Sequence, residues 1–323
     1  MTRLNQILTG VLIVQLILAA VVLLPRTLSS QSEVEALLPG LEADRVTTLT
    51  ITSGEGQSLT LAKKDGAWVL ASAGDYPAVE GDVPAFLEKV AAVQTNRLVT
   101  ETPSSHERLE VADDAYQRLV EIETDDGTTY RFYIGSSPTF GAAHVRVAGQ
   151  DEVYLTPELV AQDAGTLATD LVDANYVTLP SEEITAFTIQ NQQGTFEFAR
   201  EGEVWTMSDL AGEEVLNEGT VRTLLSRATT VRLQQPLGTT EEAAYGLDDP
   251  SAVVTLETED GQTHTLRVGA QDATDNSYVV AWSGSPFYVR VSEFSVRDLV
   301  EKTRDDLLQQ PTPTPEPEAT PPG

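Results

Sequence analysis

Residues 119–135 read LVEIETDDGTTYRFYIG, and residues 253–269 read VVTLETEDGQTHTLRVG. In both stretches, apolar and polar residues alternate on either side of an acidic turn that ends in glycine, Gly127 in the first and Gly261 in the second. Alternation with a period of two is typical of half-buried strands, and an Asp-Gly pair is a strong hairpin signal. The two stretches therefore predict the same antiparallel hairpin, used twice in one chain.

The similarity extends beyond these hairpins. Residues 46–52 and 184–190 predict equivalent strands, each followed by a turn and a return strand, and Trp68 and Trp205 follow equivalent second turns. Apolar residues at i, i+3, i+4 and i+7 then predict one amphipathic helix in each copy. These apolar stripes are Val83, Phe86, Leu87 and Val90 in the first copy, and Val221, Leu224, Leu225 and Ala228 in the second. Because the elements recur in the same order, we predict an internal duplication.

The predicted fold class is α+β, with one N-terminal transmembrane helix and two tandem homologous antiparallel-sheet domains. Each domain is expected to have six or seven strands, one amphipathic helix over a sheet face and a closing helix. The predicted boundaries are 1–30 for the transmembrane anchor and its flanks, 31–45 for a juxtamembrane connector, 46–175 and 176–308 for the two repeat domains, and 309–323 for a Pro/Thr-rich disordered tail. A spacer toward a cell wall or a partner is the alternative interpretation of that tail.

The uncharged run from Ile7 to Leu24 is long enough for a membrane helix. As an α-helix it would span roughly 27 Å, close to the ~30 Å hydrocarbon core of a bilayer. Arg3 precedes it and an acidic chain follows Arg26, which weakly favours a cytoplasmic N-terminus and an extracytoplasmic body. We therefore predict a single-pass protein of the cell membrane. A cleaved signal peptide is the alternative, although its apolar core is usually only about 7–15 residues.

The composition restricts the classes of partner and chemistry. Acidic residues outnumber basic ones by 50 to 20, which gives a formal net charge of −30. Nucleic acid is then a poor partner because phosphate binding needs clustered Lys and Arg, and anionic headgroups should repel the body. The chain has no cysteine, which excludes thiol catalysis, thiolate metal ligands and disulfides. The folded body must be held together by its apolar core.

The three histidines do not form a metal-binding motif. His106, His144 and His264 are too far apart in the chain for a His-x-His or a helical His pair. We interpret them as surface or loop residues, and we predict no metal and no cofactor.

Catalytic motifs are also missing from the sequence. The serines at 136–137 and 283–285 do not supply the G-x-S-x-G elbow of a serine nucleophile. Adjacent carboxylates, such as Asp125-Asp126 and Asp248-Asp249, are interpreted as turn residues, because Asp favours turns through its own backbone hydrogen bonding. The sequence therefore predicts a protein that is not an enzyme.

Three aromatic residues of the second copy are candidates for contact with a partner. Trp282 is unmatched in the first copy, where Ala148 stands, and it is expected in a turn with Phe287 nearby. Local packing is the favoured interpretation of Trp282, and the alternative is an exposed aromatic at a loop tip that contacts a partner or glycan. Tyr245, which begins the motif YGLDDP, is the third candidate. Trp68, Trp205, Gly127 and Gly261 are interpreted as structural markers of the repeat.

Several motifs carry a resemblance to a known family. They are LLPGL at 37–41, the Lys64-x-Gly66-x-Trp68 hairpin, and YGLDDP at 245–250 ahead of the hairpin that ends in Gly269. With the N-terminal apolar run, they resemble bacterial proteins of the domain-of-unknown-function family DUF4340 over residues 1–308. The first copy departs from the YGLDDP pattern, with LEVADD at 109–114. The resemblance implies an extracytoplasmic accessory role beside ABC-type export systems of the gliding-motility kind, and it implies no catalytic residues.

The leading hypothesis is a non-catalytic accessory or binding subunit of an ABC-type export system, whose permease or ATPase would be the partner. The first alternative is a module that binds peptidoglycan or another cell-envelope glycan. The second is a carboxylate-dependent hydrolase, for which Asp248 and Asp249 are the residues to test.

Overall fold

A computed structural model describes residues 35–309 of the chain. In this part the protein is mostly β, with two antiparallel sheets of nine strands each and three α-helices. The α+β class expected from the sequence is therefore wrong, because the helices have only 11, 12 and 9 residues while strands dominate the described chain. The prediction of six or seven strands per copy is also too low.

The strands, numbered along the chain, divide between the two sheets. Strands of the first sheet are β1 (Val46–Ser53), β2 (Ser58–Lys64), β3 (Ala67–Leu70), β4 (Tyr76–Pro77), β5 (Leu98–Thr100), β6 (Arg118–Thr124), β7 (Thr129–Ile134), β8 (Ala143–Val147) and β9 (Val153–Thr156). Strands of the second sheet are β10 (Asn175–Thr178), β11 (Ile184–Asn191), β12 (Gly194–Glu201), β13 (Val204–Met207), β14 (Thr230–Gly238), β15 (Ala252–Thr258), β16 (Thr263–Gln271), β17 (Tyr278–Trp282) and β18 (Tyr288–Val291). The helices are α1 (Asp82–Ala92), α2 (Glu218–Thr229) and α3 (Glu293–Glu301).

The described chain groups into two compact units, residues 35–56 with 84–164 and residues 57–83 with 165–309. Within the first unit the strand order is β1-β6-β7-β8-β9-β5. Within the second, β2-β3-β4 form a meander, and the second sheet has the order β10-β14-β18-β17-β16-β15-β11-β12-β13. The boundaries of the two repeat domains stay a prediction.

Strands β1 and β11 begin with the same irregularity. The pairing register shifts between Val46 and Thr48 in β1, and between Ile184 and Ala186 in β11. A bulge of this kind inserts one extra residue into one strand and increases the local twist. It explains why the buried positions of β1 start with a step of three, from Val46 to Leu49, before the period of two begins.

The apolar stripes expected on the two amphipathic helices are buried. Val83 and Leu87 of α1, and Val221 and Leu224 of α2, are at most 1 % exposed. Asn217 caps α2, because its Oδ1 accepts a hydrogen bond from the Thr220 backbone N–H at 3.3 Å. Such a cap satisfies one of the backbone donors that the first turn leaves unpaired.

The helix expected to close the first copy is absent from the described residues. In its place are two single 3-10 turns, at Ala161–Asp163 and Ala168–Asp170. Each turn ends in an aspartate whose side chain accepts a hydrogen bond from the backbone N–H three residues earlier. Asp163 accepts from Val160 at 2.9 Å, and Asp170 accepts from Leu167 at 3.0 Å. Local side-chain bonds of this kind compete with helix propagation, which explains the difference.

Strand β14 was not anticipated, because Pro236 and two glutamines interrupt its apolar pattern. Proline cannot donate to a ladder hydrogen bond and normally argues against a central strand. Here β14 pairs with β18, and its register shifts on both sides of this region, between Leu233 and Gln235 and between Pro236 and Gly238. These irregularities accommodate the proline within the sheet.

The predicted membrane helix at 7–24 and the Pro-rich segment from Pro311 lie outside the described residues. Between residues 35 and 309, no helix has the length and apolar character needed to cross a membrane. The longest of them, α2, has 12 residues, about 18 Å, against the ~30 Å of a hydrocarbon core. We therefore correct the prediction of a single-pass membrane protein with an extracytoplasmic body, which the structure does not support.

Two glycines at the ends of the duplicated hairpins allow a loop to approach the sheet closely. A Cβ atom on Gly269 would lie 2.1 Å from the backbone oxygen of Tyr245, and one on Gly135 would lie 2.2 Å from the backbone oxygen of Leu109. Distances this short leave no room for any side chain. The approach lets Tyr245 and Leu247 pack on Val279 and Ala281.

A buried arginine organises the first unit. Arg146 is only 3 % exposed, and it donates from Nε to the Val111 carbonyl oxygen at 2.6 Å and from Nη1 to that of Gln150 at 3.0 Å. Its Nη2 atom pairs with Asp113 Oδ1 at 2.5 Å, and the guanidinium lies over the Tyr133 ring. The hydrogen bond from Arg146 lowers the pKa of Asp113. The buried charge is thus fully partnered, as such a charge must be.

Carboxylates close the acidic turns of both duplicated hairpins. Asp126 Oδ1 accepts hydrogen bonds from Thr124 Oγ1 at 2.7 Å and from the Thr128 backbone N–H at 3.0 Å. Asp260 Oδ1 accepts from Thr258 Oγ1 and from the backbone N–H of Gln262. These bonds, with the threonine hydroxyl as the largest cause, lower the pKa of both aspartates. Their geometry is that of turn residues.

Near the end of the described chain, Arg304 clamps Glu214. Its Nη1 and Nη2 atoms donate to the two carboxylate oxygens of Glu214 at 2.8 and 2.7 Å. Together with a hydrogen bond from the Ala211 backbone N–H, this lowers the pKa of Glu214 from 4.5 to about 2. Such bidentate pairs are among the stronger polar contacts in proteins.

We predict that Gly269→Ala lowers the free energy of unfolding by about 2–3 kcal/mol, because the new methyl group meets a backbone oxygen that cannot move away. Gly261→Ala is the matched control: nothing lies within 4 Å of its new methyl, and the positive φ of Gly261 makes the cost about 1 kcal/mol. Urea denaturation of both variants measures the difference. The steric explanation fails if Gly269→Ala costs no more than Gly261→Ala.

We predict that the Arg304–Glu214 clamp makes the stability depend on pH in the acid range. Since the folded pKa of Glu214 lies below the unfolded one, its contribution is complete above about pH 4.5 and is lost as the pH falls toward about 2. Glu214→Gln should reduce the slope of stability against pH in this window. The exposed neighbour Glu213, changed to Gln, is the control, and equal slopes for wild type and Glu214→Gln would contradict the prediction.

Candidate aromatic pocket

The second unit contains a small pocket at the turn between β17 and β18, which we call the aromatic pocket. Its volume is about 270 Å³, and it brings together residues of three strands, β16, β17 and β18, and of the turn that joins β17 to β18. It is lined by Thr265, Arg267, Ala281, Trp282, Ser283, Ser285, Pro286, Phe287 and Tyr288. This size is slightly below the about 300–1,000 Å³ of pockets for small molecules, and it suits a single side chain or ring.

The pairing of strands explains which residues meet at the aromatic pocket. Arg267 of β16 stands opposite Ala281 of β17, which in turn stands opposite Tyr288 of β18. Residues that lie opposite each other in a ladder share one face of the sheet. Thr265 lies two residues before Arg267 in β16 and therefore shares that face. Arg267 and Tyr288 thus become neighbours across three strands.

A buried tyrosine holds the turn of the aromatic pocket at both ends. The Tyr176 hydroxyl accepts a hydrogen bond from the Trp282 backbone N–H at 3.0 Å and donates one to the Phe287 carbonyl oxygen at 2.5 Å. Burial raises the pKa of Tyr176 to about 12, so the hydroxyl keeps the proton that it donates. The ring of Phe287 also packs edge-on against Tyr76, with 4.7 Å between ring centroids. The turn is therefore fixed without a ligand.

A carboxylate connects the two polar side chains of the aromatic pocket. Glu241 Oε2 accepts hydrogen bonds from Arg267 Nη2 at 3.1 Å and from the Tyr288 hydroxyl at 2.9 Å. The hydrogen bond from the Tyr288 hydroxyl to Glu241 raises the pKa of Tyr288. Arg267 and Glu241 each keep about a third of their side chain exposed, so the pair is worth little energy and can exchange partners.

The sequence-based candidates occupy different places from those expected. Trp282 is the last residue of β17 rather than a turn residue. It is 8 % exposed and its ring stacks on His264 with 5.3 Å between centroids, as local packing predicts and an exposed loop tip does not. Phe287 is half-buried and lines the pocket. Tyr245 does not line it, because it packs in the core behind Tyr288, with 5.6 Å between the rings.

The residues expected to mark the repeat share burial in one pair and backbone conformation in the other. Trp68 and Trp205 are both buried, and Trp205 contacts Phe187 edge-on at 5.1 Å. Gly127 and Gly261 both have positive φ, 80° and 79°, in the acidic turns of the two hairpins. None of the four lines the aromatic pocket.

Two of the three histidines are buried, His106 in a loop, as the expectation of surface or loop residues allows, and His144 in strand β8, where that expectation is wrong. His106 contacts the Asp151 carbonyl oxygen through Nε2 at 2.9 Å, and His144 contacts the Ser136 carbonyl oxygen through Nδ1 at 2.8 Å. Burial lowers the pKa of His144. Across residues 35–309, no three His, Asp or Glu side chains are grouped closely enough to hold a metal ion.

Sequence reasoning missed Arg267, Tyr288 and Tyr176. The alternation of Thr265 and Arg267 with buried Leu266 and Val268 does predict one polar face of β16, but it does not identify the strands beside it. Tyr176 lies 106 positions before its partner Trp282 in the chain, and no local pattern marks it.

Comparison with known proteins gives one family match. A family model described as Domain of unknown function (DUF4340) matches residues 68–242 and 215–309. No curated protein matches the chain, and no solved structure does. The match confirms the family resemblance seen in the sequence, and it carries no association with export systems.

We predict that Tyr176→Phe destabilises the protein by about 1–3 kcal/mol, because the Trp282 N–H and the Phe287 carbonyl oxygen lose their partner. Amide hydrogen exchange at Trp282 should accelerate more than the global loss of stability requires. Tyr288→Phe is the control, since its hydroxyl bonds only a carboxylate near the surface. Unchanged protection of the Trp282 amide in Tyr176→Phe would show that the turn is held by other contacts.

Proposed function

Because the chain belongs to the DUF4340 family, whose description names no activity, we propose a function from its own residues: it is a non-catalytic binding protein. The aromatic pocket is its contact point for a partner protein. We further propose that the partner is the permease or ATPase of an ABC-type export system, which makes this chain an accessory subunit.

The composition of the aromatic pocket is the observation that carries this proposal. Phe287, Tyr288 and Arg267 meet there, and Tyr, Trp, Phe and Arg are the residues enriched at protein interfaces and their hot spots. The Arg267–Glu241 pair, about one third exposed, supplies both a donor and an acceptor to an incoming side chain. A pocket of about 270 Å³ suits one anchoring side chain of a partner better than a whole small molecule.

The rigidity of the turn also favours binding. Tyr176 bonds both ends of the turn, and Thr265 bonds its first residue twice, donating from its N–H to Ser283 Oγ and accepting from the Ser283 N–H, both at 2.9 Å. Immobilising a flexible loop on binding costs about 0.5–1.5 kcal/mol per side chain. A turn that is already fixed avoids most of this cost.

Four carboxylates held in ion pairs and turns do not suit general acid catalysis. Asp113, Asp126, Glu214 and Asp260 have lowered pKa values because arginine or turn hydrogen bonds stabilise the ionised form. A general acid at neutral pH needs the opposite shift. Asp248 and Asp249, the pair considered for hydrolysis, are exposed in the loop that follows Leu247.

Glycan binding is the second candidate function. The observation in its favour is the ring of Tyr288 beside the hydroxyl groups of Ser283 and Ser285, since aromatic faces and hydroxyls together suit a sugar ring. Retention on an insoluble glycan such as peptidoglycan distinguishes it from a protein partner.

A photocrosslinking experiment tests the function in cells of the native host. A photoreactive residue replaces Pro286, which is exposed and lines the aromatic pocket, and a control carries it at exposed Thr274, before the other end of β17. We expect an adduct with an ABC-type permease or ATPase at position 286 only. Arg267→Ala should reduce its yield about tenfold, the effect of a typical hot-spot side chain.

Arg200→Ala is the matched control for Arg267→Ala, because Arg200 also pairs with a glutamate, Glu259 at 2.9 Å, without lining the aromatic pocket. A protein adduct that contains no ABC-type component rejects the export partner but keeps the binding function. Adducts with glycan alone favour the second candidate. If position 286 gives no more adduct than position 274, the aromatic pocket is not the contact point.

A further inference from the structure

A second cavity in the same unit has the opposite character to the rest of the protein. Its volume is about 530 Å³, and it is lined by three arginines, Arg222, Arg227 and Arg232, and by hydroxyl groups from Thr223, Ser226 and Ser295 among others. None of the described residues that line it is acidic. In a chain with 50 acidic and 20 basic residues, this arginine cleft concentrates positive charge at one place.

The fold assembles the arginine cleft from three elements. In α2, residues 222, 223, 226 and 227 lie on the side away from the buried stripe, because that stripe occupies 221, 224, 225 and 228. In β14, Thr230 and Arg232 are exposed while Val231 and Leu233 between and after them are buried. Ser295 of α3 completes the lining.

The arginines of the cleft keep hydrogen-bond donors for a ligand. Arg222 Nη2 contacts Glu218 at 3.2 Å in an exposed pair of the same helix, and Arg227 Nε lies 3.8 Å from Asp298 Oδ2. Arg232 Nη1 donates to the neutral side chain of Asn175 at 3.0 Å. Each guanidinium carries five N–H donors, so these contacts leave most of them available. Exposed pairs of this type contribute only about 0–1 kcal/mol, so an anion can compete with them.

The balance of charges around the cleft identifies the arginine that contributes most to its net positive charge. Glu218 pairs with Arg222 and Asp298 with Arg227, so these carboxylates offset the charges of those two arginines. The C-terminal end of α2 adds about half a negative charge. Arg232 is therefore the source of the remaining positive charge, since its partner is an uncharged amide.

We propose that the arginine cleft binds a phosphate group, carried by a small phosphomonoester or by a lipid headgroup. Guanidinium groups match the oxygens of phosphate in bidentate geometry, and hydroxyls donate the additional hydrogen bonds. The volume exceeds that of phosphate alone and leaves room for the organic part of such a ligand. The site is separate from the aromatic pocket and does not depend on the function proposed for it.

Binding measurements on the full chain test the arginine cleft. Isothermal titration uses inorganic phosphate and glycerol 3-phosphate, and co-sedimentation uses phosphatidylcholine vesicles with and without phosphatidic acid. We expect saturable binding that Arg232→Gln weakens about tenfold, the effect of losing a charge-assisted contact. Arg227→Gln should also weaken binding. This second variant is needed because Arg232→Gln removes the hydrogen bond to Asn175 as well as a cleft arginine.

Arg297→Gln is the matched control, because Arg297 lies on α3, pairs with Glu293 and does not line the cleft, while its loss changes the net charge equally. Binding of the soluble phosphates alone assigns a small phosphomonoester, and binding of phosphatidic acid vesicles assigns a lipid headgroup; both support the site. The proposal is overturned if no probe binds, or if Arg297→Gln weakens binding as much as Arg232→Gln.

Discussion

The close approach of a loop to the sheet at Gly269 is the constraint on which the second unit depends. The Tyr245 carbonyl oxygen occupies the space that any side chain at position 269 would need. This approach brings Tyr245 and Leu247 onto Val279 and Ala281, and so covers one face of β17 without a disulfide. In a chain without cysteine, packing at this distance must supply what a covalent link would otherwise provide. Gly135 has the same relation to Leu109 in the first unit.

The aromatic pocket follows from this packing. Tyr245 supports the ring of Tyr288 from the core side, and Tyr176 fixes the neighbouring turn by bonding Trp282 and Phe287. The groups left accessible are then few, with Arg267, Glu241 and the Tyr288 hydroxyl connected by hydrogen bonds. The rigidity of this pocket and the donor and acceptor groups in it support the partner contact that we propose.

The distribution of charge has more functional meaning than its sum. Arg146 and Arg304 are used internally, one buried against carbonyl oxygens and one clamped to Glu214. The arginine cleft is different, because its guanidinium groups meet weakly held or neutral partners. A net charge of −30 does not prevent a local anion site, since exposed charges beyond about 8–10 Å are largely screened at physiological ionic strength. An overall negative charge is therefore compatible with the phosphate site that we propose.

The sequence alone determined the two acidic hairpins, their glycine turns, the apolar stripes of α1 and α2, and membership of the family. The hairpins and the apolar stripes depend on residues close together in the chain, where the strand period of 2 or the helix period of 3.6 is visible. It did not reveal the strand character of β14, because bulges accommodate Pro236 only when β18 is present.

Only the tertiary structure decided which side chains meet in the candidate sites. Buried Trp282 stacks on the half-buried His264, Tyr176 reaches a turn 106 residues away, and the arginine cleft brings together residues between 222 and 295. Neighbours across a sheet are set by strand order and register, which no local pattern of residues encodes.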